Sequence, residues 1–234
     1  GYESMKSSGT ASNNTSANSV AIGYQSLTSI TTGGANVALG QGACQQITSG
    51  DYNIGLGRGS LEGNTTNSQN IGIGYRANAQ LTGNSNIALG HYAGYNSNGN
   101  TYQRNIAIGD YALDATKTGD ITGVIGIGYQ ALTALTSGVR NTAIGYESGK
   151  SLSTHLDNTF VGYQSGRATT GEGNVAVGKY AMYEGGGADK NTVVGTNALQ
   201  NVTGDLNVGM GYNALHATTT GGKNIAIGAY ALDA

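Results

Sequence analysis

The sequence predicts an all-β protein, a parallel β-solenoid of about 13 coils with about 17 residues in each coil. Three observations carry this prediction: a glycine that recurs along the whole chain, a strand-like alternation of residue size just before it, and the absence of proline. Because one coil of this length cannot bury its apolar residues alone, successive coils have to stack on one another.

The recurrent glycine sets the register of the array. Most successive copies lie 16 or 17 residues apart, and the tract from Asn105 to Leu113 returns almost unchanged from Asn224 to Leu232. We therefore expect a single repeat array over residues 1–234 without an internal domain boundary. Both ends lie within the repeat pattern, from which we expect a segment of a longer fibre. The corner glycines are Gly1, Gly23, Gly40, Gly57, Gly74, Gly90, Gly109, Gly128, Gly145, Gly162, Gly178, Gly195, Gly211 and Gly228.

The three residues before each corner glycine alternate between large, small and large. This period of two is typical of a β-strand, and proline would remove a donor from a strand that is paired on both sides. We expect the two large residues to enter the core. The small residue would then face outward against other copies of the chain, and the predicted oligomer interface consists of Ala38, Gly72, Ala88, Ala107, Ala143, Ala176 and Ala226.

Asparagine occupies the position four residues before the corner glycine in eleven of thirteen copies. Stacked amides at such a position can pair with one another and with backbone groups of the corner. The predicted ladder comprises Asn36, Asn53, Asn70, Asn86, Asn105, Asn141, Asn158, Asn174, Asn191, Asn207 and Asn224.

Composition excludes several classes of protein. Forty-one glycines without any proline exclude collagen, and a net charge of −2 is too small for a nucleic-acid partner. No apolar run is long enough for insertion into a membrane. The single cysteine, Cys44, replaces leucine in its copy, which predicts a buried thiol.

Thirteen carboxylates are scattered over different positions of the repeat, as expected for solvating charge. The three histidines occupy three different positions. We therefore predict no catalytic residue, no metal site and no cofactor. The better candidates for contact with a glycan or a receptor are the tyrosines that follow consecutive corner glycines and a polar longer coil, that is, Tyr129, Tyr146, Tyr163, Tyr95, Tyr102 and Arg104.

Segments of the repeat resemble those of two known families. The segment Asn18 to Ser26 (NSVAIGYQS) resembles the head repeat of trimeric autotransporter adhesins, and Asn207 to Leu215 is similar to the Gly-Tyr-x-Ala-Leu repeats of bacteriophage tail fibres. The adhesin resemblance implies a left-handed β-roll that assembles as a homotrimer. The two resemblances together imply an extracellular location, on a virion tail fibre or on a bacterial surface.

We therefore expect a structural, non-enzymatic shaft segment of a phage tail fibre or bacterial adhesin that supports attachment to a host or surface. One alternative is that the segment itself binds a host glycan or a protein receptor through the tyrosines or the long coil. A third is a polysaccharide depolymerase, which would need a pair of carboxylates.

Overall fold

The computed structural model describes residues 1–6, 17–80, 82–95, 102–115, 118–216 and 220–233. In these residues the chain is all-β without a helix, and it forms a parallel β-solenoid of about 12 turns that lie about 17 residues apart. The predicted fold class is thereby confirmed. No helix in the described residues could cross a membrane.

The chain divides into two compact units, residues 1–122 and 123–234. The strands of the first unit are β1 (Val20–Ile22), β2 (Val37–Leu39), β3 (Ile54–Leu56), β4 (Ile71–Ile73), β5 (Ile87–Leu89), β6 (Tyr102–Gln103), β7 (Ile106–Ile108) and β8 (Ile121–Thr122). Six of them pair in parallel in the order β1-β2-β3-β4-β5-β7, and β6 pairs with β8 in a second small sheet.

The second unit contains one parallel sheet in which the strands pair in chain order. Equivalent residues of successive copies are partners, as when Thr142 lies opposite Thr159. The strands are β9 (Ile125–Ile127), β10 (Thr142–Ile144), β11 (Thr159–Val161), β12 (Val175–Val177), β13 (Thr192–Val194), β14 (Val208–Met210) and β15 (Ile225–Ile227).

The strands present the opposite face to the core from the one predicted. The small middle residue of each strand lies inside the coil of its own chain, whereas the large flanking residues, such as Val20 (48% exposed) and Ile22 (56%), point outward. Residues that are buried within the single chain have no surface to offer to another copy, so the predicted oligomer interface is wrong. The residues concerned are Ala38, Gly72, Ala88, Ala107, Ala143, Ala176 and Ala226.

The narrow interior of the coil explains this orientation. A Cβ atom added to Gly72 would lie 2.7 Å from the carbonyl oxygen of Ala77, on the other side of the same coil. The remaining interior space is taken by a column of side chains four residues after the corner glycines, among which leucine is the most frequent, as at Leu27 and Leu61. The middle strand position opposite this column accepts glycine, alanine and a few larger side chains. The β-branched residues on either side of it must therefore face outward.

The second side of each coil is built from residues with left-handed backbone conformation. Gln25 and Leu27, two and four residues after Gly23, have φ angles of 53° and 48°. Their amides pair with neighbouring coils, because Gln25 N donates to Tyr2 O at 3.2 Å and Leu27 N donates to Ala43 O at 3.1 Å. The second position carries an outward side chain and the fourth a buried one. We call the row of second positions, which runs beside the core column from coil to coil, the outward ledge.

The asparagines lie together in buried ladders within each unit. Asn53 N and Asn53 Nδ2 donate to Asn36 Oδ1 at 2.9 and 3.0 Å, and Asn53 Nδ2 also donates to Asn67 O at 2.9 Å. The same pattern joins Asn70, Asn86 and other members, so buried amides have partners from the next coil. Because a buried amide without partners is costly, these bonds fix the register between coils.

Candidate functional site

The outward residues of the strands form a largely apolar surface, which we call the aliphatic strand face. It consists of the first and third residues of β1–β5 and β7 in the first unit, and of β9–β15 in the second. No charged residue occupies these positions. The most exposed members are Val20, Ile22, Leu39 and Ile73 in the first unit, and Ile144, Val177, Val194, Met210, Ile225 and Ile227 in the second.

The area of this face is large for a surface left in water. Exposed fractions of its more open members run from 36% at Val177 to 69% at Ile225 and Ile227. The exposed apolar surface is on the order of several hundred Å² in each unit, comparable with the ~800 Å² that one partner contributes to a standard interface. A patch of this size is typical of an interaction surface, and it is formed by the residues that were predicted to fill the core.

The structure brings Tyr129, Tyr146 and Tyr163 of the second unit into one stack. The ring centroids of the first two lie 5.1 Å apart, and those of the second pair lie 5.3 Å apart with an angle of 11° between the rings. The edge of Tyr180 closes the far end at 5.4 Å. The faces of these rings lie against one another, which stabilises the coils by aromatic packing. Glycan contact through this column stays a prediction.

The three residues of the polar long coil that were predicted to contact a glycan or receptor lie in different environments. Tyr102 is 1% exposed and lies in the core, so its predicted role as a receptor contact is wrong. Burial raises the pKa of its hydroxyl, which has no hydrogen-bond partner among the residues that the structure describes. Arg104 is exposed, and the Tyr95 ring packs edge-on against Tyr92 at 5.2 Å. The intervening residues 96–101 lie outside the described part of the chain.

A second aromatic cluster, which the sequence did not indicate, lies on the first unit. Tyr75 stacks on His91 at 5.3 Å, and His91 meets Tyr111 edge-on at 5.2 Å. Tyr92 stacks on Tyr111 at 6.0 Å. These residues stand one or two places after successive corner glycines, so the recurrence of aromatic residues at these two positions is the sequence signal for the cluster.

Glu147 is the most strongly held carboxylate of the second unit. Its Oε1 accepts a hydrogen bond from Lys150 Nζ at 2.7 Å, and its Oε2 accepts bonds from Gln164 Nε2 at 2.6 Å and Arg167 Nε at 2.9 Å. Burial raises the pKa of Glu147, but these bonds outweigh it and lower the pKa to about 2. A carboxylate so paired is a structural anion and a poor general acid.

Glu147 should make the fold sensitive to acid. Its folded pKa of about 2 lies below its ordinary value of 4.5, so its stabilising effect is complete above pH 4.5 and is lost as the pH falls towards 2. We expect wild type to lose roughly 1–2 kcal/mol more than Glu147→Gln between pH 6 and pH 3. Urea unfolding at several pH values measures this difference.

The control for this experiment is Glu184→Gln, which removes an exposed carboxylate from the same unit. It should follow the wild-type dependence on pH. Parallel curves for wild type and Glu147→Gln would contradict the role assigned to Glu147.

Several other carboxylates bond to backbone groups of a neighbouring coil. Asp51 Oδ1 accepts a hydrogen bond from Gly34 N at 2.7 Å, and Asp189 Oδ1 accepts one from Glu172 N at 2.9 Å. Asp205 Oδ1 in turn accepts from Asp189 N at 2.9 Å. These acids accept hydrogen bonds from amides at the second corner of the coil, a structural role beyond the solvating charge that the sequence predicts.

The remaining candidate groups are few. Cys44 is buried, and burial raises the pKa of its thiol to about 12, so the thiol stays protonated. Within the described ranges, no group of three or more His, Cys, Asp or Glu side chains could hold a metal ion. No protein-family model, no curated protein and no solved structure matches the chain.

Proposed function

We propose that this chain is a structural shaft segment of an extracellular fibre, either a phage tail fibre or a bacterial surface adhesin, and that copies of it associate in parallel as a homotrimer. The observation that carries the proposal is the aliphatic strand face. The resemblance of the repeats to adhesin heads and tail fibres supports the extracellular setting and the number of three copies.

A second copy of the chain is the partner that fits this face best. The face has no charged side chain, so its partner must also be apolar at the centre of the contact. Each coil contributes one row of two outward side chains to the face, and these rows repeat roughly every 4.8 Å. A parallel copy presents rows with the same spacing, so each row can pack between two rows of its partner along the array.

The mechanical role follows from the same geometry. Parallel backbone pairing, buried amides and a dry interface between copies would resist bending and proteolysis, since few backbone groups are free to enter a protease. Such a segment supports attachment by holding a receptor-binding part away from its base. It performs no chemistry of its own.

Multi-angle light scattering of the purified chain tests the proposal. We expect a mass about three times that of the 23.6 kDa chain at micromolar concentration. A mass of 23.6 kDa under the same conditions would contradict both self-association and the shaft that depends on it.

A further inference from the structure

A small open recess lies in the first unit, away from the aliphatic strand face. Its volume is about 150 Å³, and its floor is formed by Gly42 and Gly59. The side chains around it are Gln25, Gln41, Gln45, Arg58, Glu62 and Arg76. Three amides, two guanidinium groups and one carboxylate therefore converge on a single surface of the solenoid.

The recess exists because two successive coils lack a side chain on the outward ledge. Gly42 and Gly59 stand two residues after their corner glycines, where the coil before them carries Gln25 and the coil after them carries Arg76. All four have left-handed backbone, with φ angles between 52° and 65°. The missing side chains leave a gap roughly 10 Å tall along the array, with a long side chain at each end.

The two arginines are held in place without forming an ion pair, although Arg76 interacts electrostatically with Glu62 on the recess wall. The Cζ atoms of Arg58 and Arg76 lie 5.7 and 5.8 Å from the centroid of the Tyr75 ring, which itself stacks on His91. Neither guanidinium forms an ion pair with a carboxylate in the described chain. Contact with the tyrosine ring orders both groups, and the N–H donors that Arg76 does not direct at Tyr92, with those of Arg58, can face an anion.

The opposite end of the recess is polar and ordered as well. Gln45 Nε2 donates to Gln25 Oε1 at 3.2 Å, and Gln25 Nε2 donates to Glu3 Oε2 at 3.0 Å. Amides offer both donors and acceptors, and the Glu62 carboxylate adds a further acceptor on the wall. Such a mixture suits hydroxyl groups, which donate and accept hydrogen bonds at the same atom.

We propose that this recess binds an acidic saccharide, whose carboxylate or sulfate pairs with Arg58 and Arg76 and whose hydroxyls bond to the glutamines and to Glu62. A nucleic acid fits less well, because its closely spaced phosphates would meet Glu62 and a chain of net charge −2. The site is independent of self-association, since none of its residues belongs to the aliphatic strand face.

Isothermal titration calorimetry on the full chain tests this site with three probes: an oligogalacturonate, which is carboxylated, a heparin-derived oligosaccharide, which is sulfated, and neutral maltohexaose. We expect at least one acidic probe to bind at least 10-fold more tightly than maltohexaose. The two acidic probes distinguish a carboxylate from a sulfate as the recognised group. Arg58→Gln with Arg76→Gln should weaken the binding at least 10-fold.

A second variant blocks the recess without changing any charge. A Cβ atom at Gly42 would meet only Gln45 Oε1, at 3.7 Å, and glutamine already occupies the equivalent left-handed position at Gln25 and Gln164. Gly42→Gln should therefore fold normally and lose binding at least 10-fold. Its matched control is Gly123→Gln, at a left-handed glycine with no atom within 4 Å of the added Cβ, which should leave the affinity unchanged.

Two results would overturn the proposal. One is that neither acidic probe binds more tightly than maltohexaose. The other is acidic binding that Gly42→Gln leaves intact, which would show attraction to surface charge without use of the recess. Light scattering of each variant separates this site from the shaft, because all of them should keep the mass of the wild-type assembly.

Discussion

Lysine in place of both Ile144 and Val177 should convert the assembly into a 23.6 kDa monomer. These side chains are 38% and 36% exposed in the single chain, at the third positions of β10 and β12, so a lysine there can reach water when the chain is alone. In a packed apolar interface the same ammonium would be buried without a partner, at a cost of several kcal/mol per charge. Light scattering should report the lower mass, with an unchanged circular dichroism spectrum.

The matched control carries the same added charge on another side of the coil. Ser151→Lys with Thr154→Lys changes two exposed residues of the same unit that lie outside the aliphatic strand face. This variant should keep the wild-type mass. If the Ile144 and Val177 double variant also keeps it, the face is not the interface and another surface must hold the copies together.

Phe160→Ala and Gly166→Leu should each destabilise the protein strongly, whereas their combination should restore most of the loss. Phe160 fills the middle strand position that holds Ala or Gly in most coils, and a Cβ atom at Gly166 would lie 2.6 Å from its ring. We expect a loss of about 3–5 kcal/mol for Phe160→Ala through its cavity, and about 2–3 kcal/mol for Gly166→Leu through overpacking.

The double variant reproduces a pair that the chain already uses, since Ala107 stands with Leu113 in another coil. Backbone strain does not prevent it, because Leu132 and Leu199 occupy the equivalent position with φ angles of 53° and 46°. Urea unfolding of the four proteins gives the coupling energy, expected to be about 3 kcal/mol. Additive losses would show that Phe160 and Gly166 do not compensate each other.

The repeat made most of the fold predictable. Residues that recur once per coil had to lie in register, so the parallel pairing and the positions of the asparagines could be derived from spacing alone. The alternation of sizes shows that the first and third strand residues share a face. It does not show which face is inside, because that depends on how closely the opposite side of the coil approaches, as at Gly72 and Ala77.

The binding surfaces were harder to predict because they depend on departures from the repeat. Tyr102 looked like an exposed loop residue, yet it lies at the start of β6 and in the core. Gly42 and Gly59 looked like ordinary repeat glycines. The sequence indicates the recess only through their position. Two residues after the corner glycine, two adjacent coils carry glycine, whereas neighbouring coils carry glutamine, arginine or tyrosine.

The fit of Phe160 between Gly149 and Gly166 also limits how this part of the gene can be rearranged. Repeat arrays change length when whole copies are duplicated or deleted, and such a change gives each coil at the junction a new neighbour. The coil of Phe160 would not accept every new neighbour, because a Cβ at Gly149, in the preceding coil, would lie 3.1 Å from its ring. Deletion of that preceding coil would bring a leucine such as Leu132 against the phenylalanine, so the two coils should be inherited as one block.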